Sequence, residues 1–209
     1  MKSRILTLVV LSVFYINVNA QEKAGSITLG VAPIGYHHLN IAYDKEEKYK
    51  YDYKSYFNFN VGYERQFKGV TSLAEFTYTK AKFDKYDLTG TSEYFNPAQS
   101  EDISSYSLIF YAGKTFNANQ RFQFPVYIGV GGDYLSGGPF HNLAVDLAVK
   151  ARFKFYITNN IGIFAGASAR YGWGVKSRST KENSSSGKST GYIIANTMWY
   201  MDAGIIFGI

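Results

Sequence analysis

The sequence contains no cysteine. Disulfide staples and thiolate metal sites are therefore excluded, and so is a lipid-anchored lipoprotein acylated on cysteine. Proline is scarce, with 4 residues in 209, so few positions forbid a continuous backbone hydrogen-bond ladder. Beyond residue 20 no apolar run reaches the length of about 18 residues that a transmembrane helix needs. A formal net charge of +6 raises the question of nucleic acid. The basic residues alternate with apolar ones instead of gathering in one patch, which argues against that partner. What is abundant is Tyr (19), Phe (16) and Gly (20), and the aromatics favour strands over helices.

The N-terminus reads as a secretory signal peptide. MKSR supplies Lys2 and Arg4, ILTLVVLSVFYI is an apolar run over 5–16, and NVNA places Val18 and Ala20 at −3 and −1 of a cleavage site. Residues 1–20 are therefore assigned to the signal and 21–209 to one domain. Export without disulfides suits a bacterial envelope protein.

In LAVDLAVKARFKFYI (143–157) every second residue from Leu143 to Ile157 is apolar, and four of the seven between them are charged. The same period of two recurs in eight runs, at about 25–43, 53–65, 71–83, 103–116, 122–135, 143–157, 161–175 and 191–209. Leu73, Ile109 and Phe164 break the pattern by falling on the polar face. The connections QFKGV, NANQR and TNN are short. Those at 44–52, 84–102, 136–142 and 176–190 are mostly longer and polar. This alternation predicts an all-β fold, a closed antiparallel transmembrane β-barrel of eight strands, with both termini on the short-turn, periplasmic side. A soluble sandwich or lipocalin-like barrel is the alternative. Strands of fifteen residues at about 3.3 Å each suit a tilted membrane strand better. Glycines on the polar face, such as Gly129, Gly131, Gly166 and Gly204, suit a narrow interior better than a solvent face. Phe122, Tyr134, Phe155, Tyr171, Trp173 and Trp199 lie near strand ends, as interfacial girdles require.

An eight-stranded barrel is just wide enough for side chains to fill it. Strand parity points Glu64, Glu75, Asp133, Asp146 and Asp202 inward, together with Lys150, Arg152, Lys154 and Arg170. Five acids against four bases predicts a plug of paired charges; a proton or ion pathway is the sharper alternative. Within it Arg170 is expected to meet Asp146, with Asp133 as the other candidate. Neighbouring residues on a strand face opposite ways, which puts His38 in the lumen and His37 at the lipid interface and excludes a metal site shared by the two. His141 falls in the third long connection. No metal site or cofactor is expected. No serine stands in an activated constellation, so no catalytic residue is expected either. The connection 84–102 is acidic. That at 176–190 is basic through Lys176, Arg178, Lys181 and Lys188 and is a candidate surface for anionic lipopolysaccharide or a partner protein.

The signal segment, the eight alternating strands and the closing YMDAGIIFGI (200–209) resemble the small outer-membrane β-barrels of the OmpA/OmpX transmembrane type. The resemblance implies residence in the bacterial outer membrane, contact with its lipid and lipopolysaccharide, and recognition of the last strand by the barrel-assembly machinery. Ile209 stands where that pattern has Phe or Trp, with Phe207 two residues earlier. Residues 150–174 also resemble the late hairpin of conjugal-transfer barrels of the TraO type. The expected role is structural or binding, through the extracellular loops of a barrel with a plugged lumen. A narrow channel for small or apolar solutes is the second reading, and a lipid-modifying enzyme the third.

Overall fold

The computed structural model describes residues 25–43, 47–67, 70–89, 102–118, 121–137, 140–174, 177–178 and 191–209. The expected signal peptide, residues 1–20, lies outside them. Eight long strands follow one another: β1 (Ser26–Tyr43), β2 (Glu47–Phe67), β3 (Val70–Thr89), β4 (Ile103–Phe116), β5 (Phe122–Gly137), β6 (Phe140–Tyr156), β7 (Ile161–Gly174) and β8 (Gly191–Gly208). A two-residue strand, Ser177–Arg178, pairs with the start of β8. Each strand pairs antiparallel with the next, and β8 pairs with β1 from Ser26↔Gly208 to Tyr43↔Tyr192, which closes the sheet. No helix occurs among the described residues.

Alternation decides what faces where. On β6, Asp146, Lys150, Arg152 and Lys154 are buried, while Leu143, Val145, Leu147, Val149 and Phe153 point outward. The outward residues form an apolar band, with Leu108, Ile128, Ile163 and Ile205 on other strands. Aromatic pairs border it at both ends. Towards the long connections lie Tyr36–Trp199, Phe57–Tyr78, Tyr78–Tyr106 and Tyr171–Trp173, with ring centroids 4.6–6.0 Å apart. Towards the short turns lie Phe122–Phe155 and Phe124–Phe153, both at 4.7 Å. Apolar wall with aromatic rims is the pattern that lipid imposes on a barrel exterior.

The turn between β6 and β7 shows how a short connection is held. In TNN, Ile157 N–H donates to the carbonyl of Ile161 at 2.9 Å, and the Thr158 hydroxyl accepts from the N–H of Ile161 at 3.0 Å. The register that follows sets Ala148 opposite Arg170.

The ladder slips at three places: one on β3, where Asp84 is extra between Phe83 and Lys85, and one each on β1 and β2, where parity reverses. On β1 the register shifts between Val31 and Ile34, around Pro33, which has no N–H to give to a ladder. Buried positions run Thr28, Gly30, Ala32 before the bulge and Gly35, His37, Leu39 after it. On β2 a shift between Ser55 and Phe57 does the same. One extra residue reverses every side chain beyond it. The expected assignment of the histidines is therefore inverted: His37 is fully buried in the lumen and His38 faces outward.

The first and third long connections are shorter than expected: β5 ends at Gly137 and β6 begins at Phe140, so His141 lies in a strand opposite Ser136 and not in a loop. β2 begins at Glu47 and β3 runs to Thr89, so these strands reach 21 and 20 residues. Tyr51 and Tyr53, in or beside the stretch expected to be loop, turn inward onto Leu39.

The face assignment has a direct test. Val149→Arg, on the outer face near the middle of β6, should cost about 2–4 kcal/mol in urea unfolding from lipid vesicles. Ala148→Ser, on the lumen side, should cost less than half as much, and equal costs would reverse the faces.

Candidate functional site

The chemistry-bearing residues converge on the lumen, where every second residue of eight strands points. Nearest the short turns, Lys154 on β6 pairs with Glu64 on β2, and the Tyr127 hydroxyl donates to the same carboxylate at 2.8 Å. Next along the axis, Glu75 of β3 receives Lys150 at 2.7 Å and Arg152 at 2.5 Å. Asp202 of β8 receives the same two cations at 2.9 and 2.8 Å. All four of these side chains have no solvent exposure. Phe164 lies under the Arg152 guanidinium at 4.2 Å, which explains an apolar residue on the polar parity. Leu73 and Ile109, the other exceptions, pack with Tyr111, Tyr127 and Ala148 into a small apolar cluster inside the barrel.

Arg170 forms the next tier. Its guanidinium donates to the hydroxyls of Tyr200 at 2.5 Å, Thr77 at 2.9 Å and Ser107, and lies 3.6 Å from Glu75. Above it, Asp133 accepts from Ser105 at 2.5 Å and Asn196 at 3.2 Å. Both expected partners of Arg170, Asp146 and Asp133, are thus bypassed. The register argument holds, but the side chain extends across the lumen to hydroxyls on β3, β4 and β8 instead of bonding along the wall. Asp146 sits between Gly131 and Gly172 on its neighbouring strands. Neither of its oxygens, nor either ring nitrogen of His37, has a hydrogen-bond partner among the described residues. The long-connection end is closed by Leu39, Tyr51, Tyr53, Ala81, Ile103, Leu135 and Ile194.

All nine inward charges expected from parity do occupy the lumen, but they divide unequally. Glu64, Glu75 and Asp202 lie among Lys150, Arg152 and Lys154, while Asp133 and Asp146 lie beyond Arg170. The hydroxyl and amide partners Tyr127, Tyr200, Thr77, Ser105, Ser107 and Asn196 were not singled out from sequence. Their signal was the same strand parity, applied to uncharged polar residues. Of the basic connection, Lys176, Lys181 and Lys188 lie outside the described residues. Arg178 belongs to the short strand beside β8. No group of three or more metal-binding side chains occurs among the described residues.

Small residues make room for this packing. A Cβ on Gly166 would stand 2.7 Å from Arg152 Cγ and 2.9 Å from Asp202 Oδ1. Gly166→Ala should therefore disturb the Arg152–Asp202 contact and destabilise the barrel by about 1–3 kcal/mol. Glu75→Gln leaves Lys150 and Arg152 short of a counter-charge and should cost about 3–5 kcal/mol. Asp146→Asn removes a buried charge with no hydrogen-bonded partner and should cost under about 1 kcal/mol, or stabilise. Urea unfolding of the three variants in one lipid checks this ranking.

No family model and no curated protein matches the chain. Solved structures match it in fold. Neisserial surface protein A superposes with a TM-score of 0.54 at 13% identity, over 88% of this chain and 97% of that one. The outer-membrane protein OprG from Pseudomonas aeruginosa gives 0.52 at 11% identity, over 90% and 97%. The closed eight-strand sheet, the apolar exterior and these likenesses together make this chain a small outer-membrane-type β-barrel, with the architecture of the OmpA/OmpX transmembrane domains.

Proposed function

We propose that the protein resides in the bacterial outer membrane as a non-conducting barrel with a structural or binding role, exerted at its long-connection rim. The observation that carries this reading is Glu75. Its carboxylate is fully buried and holds Lys150 and Arg152 within 2.7 Å, with Arg170 at 3.6 Å. Cations held this tightly between opposite walls leave an ion no separate route, and freeing one would strand a buried charge. In this reading the chain ends, at the short-turn side, are periplasmic, and the long connections are extracellular. Surrounding partners are membrane lipid and lipopolysaccharide, with the assembly machinery acting on β8 during insertion and a protein partner engaging the loops. The reading assigns no catalytic step.

A narrow channel is the second reading. It is favoured by the outer half of the lumen, where Asp146 and His37 keep polar atoms without protein partners. The two separate in planar bilayers. The plugged barrel gives little steady conductance, and Glu75→Ala, which loosens the central contacts, raises it. Large stable openings in the unaltered protein would overturn the first reading in favour of the second.

A further inference from the structure

The outer wall carries a one-sided cluster of lysines whose position the lumen does not explain. Lys54 on β2 and Lys82 on β3 are direct partners across the strand pair, and Lys80 is the partner of Phe57. All three are exposed. Like charges directly opposite on one face are destabilising, yet no ion pair engages these lysines among the described residues. The acids of the same sector form no ion pair with these lysines among the described residues, although Asp102 bonds to Tyr56 and Asp84 shares their outer face. Asp52 contacts His38 at 2.7 Å, and Asp102 accepts from the Tyr56 hydroxyl at 3.2 Å. Asp84 lies two residues beyond Lys82 and forms no ion pair with it. On the two flanking strands the residues opposite are Tyr36 of β1, across from Lys54, and Ser104 of β4, across from Lys80.

The β2 bulge builds a floor under the cluster. Because of it, Tyr56 and Phe57 both point outward, 51% and 47% exposed. Lys82 lies over the Tyr56 ring at 5.3 Å, and Phe57 packs edge-on against Tyr78 at 6.0 Å. Tyr78 belongs to the aromatic rim, and Lys80 is the next outward residue on the same strand, about 6.6 Å farther along it. Below the rim, Phe59 and Phe76 continue the apolar wall. Read upward, this sector offers an acyl-chain wall, an aromatic rim and then unpaired ammonium groups, the sequence of zones in an anionic glycolipid standing beside it.

We propose that Lys54, Lys80 and Lys82, on the floor of Tyr56, bind the phosphate groups of the outer-leaflet lipopolysaccharide. The proposal rests on the outer-membrane orientation given above, and it places the lipid contact on the wall of β2 and β3 instead of the connection 176–190.

The test uses the folded full-length barrel in detergent, with intact or chemically dephosphorylated lipopolysaccharide. Intact lipopolysaccharide should raise the midpoint of thermal unfolding, read by gel migration of folded and unfolded forms; the dephosphorylated form should raise it much less. The triple variant Lys54→Gln, Lys80→Gln, Lys82→Gln should bind about a hundred-fold more weakly. Lys114→Gln, an exposed lysine over Phe116 near the opposite end, serves as control and should bind normally. Equal binding of the two lipopolysaccharides, or an unaffected triple variant, overturns the proposal. So does a wild-type dimer in lipid-free detergent that the triple variant loses, since the lysines would then serve a second copy. Orientation is read separately, because the chain has no cysteine: Lys50→Cys should react with an impermeant maleimide on intact cells. Failure to label overturns the orientation and the proposal together, whereas labelling without phosphate dependence overturns the proposal alone.

Discussion

A backbone amide or carbonyl has no partner in hydrocarbon, and the rest of this structure follows from that. A sheet that crosses the membrane must therefore return to its first strand. Here the return is made by β8, which pairs with β1 along nearly its whole length. Closure with eight strands fixes a narrow interior, and the interior then limits what the inward side chains can be. Glycines appear where a large partner crosses, as Gly166 does beside Arg152 and Asp202. Apolar residues appear where a charge needs a flat neighbour, as Phe164 does beneath Arg152.

The charges inside are costly individually and tolerable only together. Lys150 and Arg152 each touch both Glu75 and Asp202, so the four form a closed set across β3, β6 and β8. Such a set ties opposite walls of the barrel together, which adjacent-strand hydrogen bonds alone do not do. Its stabilising effect is best understood as the penalty for removing one member. Arg170 and Tyr200 extend the set towards the long-connection half, where bonding is sparser around Asp146 and His37. The barrel is thus tightly bonded near the short turns, open to polar rearrangement in the middle and lined by aromatic and aliphatic side chains at the far end.

Strand number, closure and the inward charges were legible in the sequence because parity is a property of the backbone alone. Residues 143–157 contain no interruption, so every assignment on β6 carried through. Parity failed where a residue was inserted. Pro33 hints at such a break, but its reversal of His37 and His38 depends on the ladder to both neighbours. Partners across the lumen were not legible, since they depend on how strands on opposite walls are staggered. Asp146 is a diagonal neighbour of Arg170 along the wall, yet Arg170 reaches Thr77 and Ser107 on the other side. Connection lengths misled for a related reason. Residues 47–52 are polar enough for a loop, but Tyr51 and Tyr53 have inward apolar partners that hold them in a strand.

The central claim is that the mid-lumen charges contact one another and exclude solvent. Side-chain nitrogen NMR of the barrel in lipid nanodiscs tests it directly, through the ammonium protons of Lys150 and the guanidinium protons of Arg152. Both should appear as resolved signals that exchange slowly with water at neutral pH and sharpen no further in high salt. Exchange as fast as that of a free lysine would mean a hydrated lumen and would contradict the account.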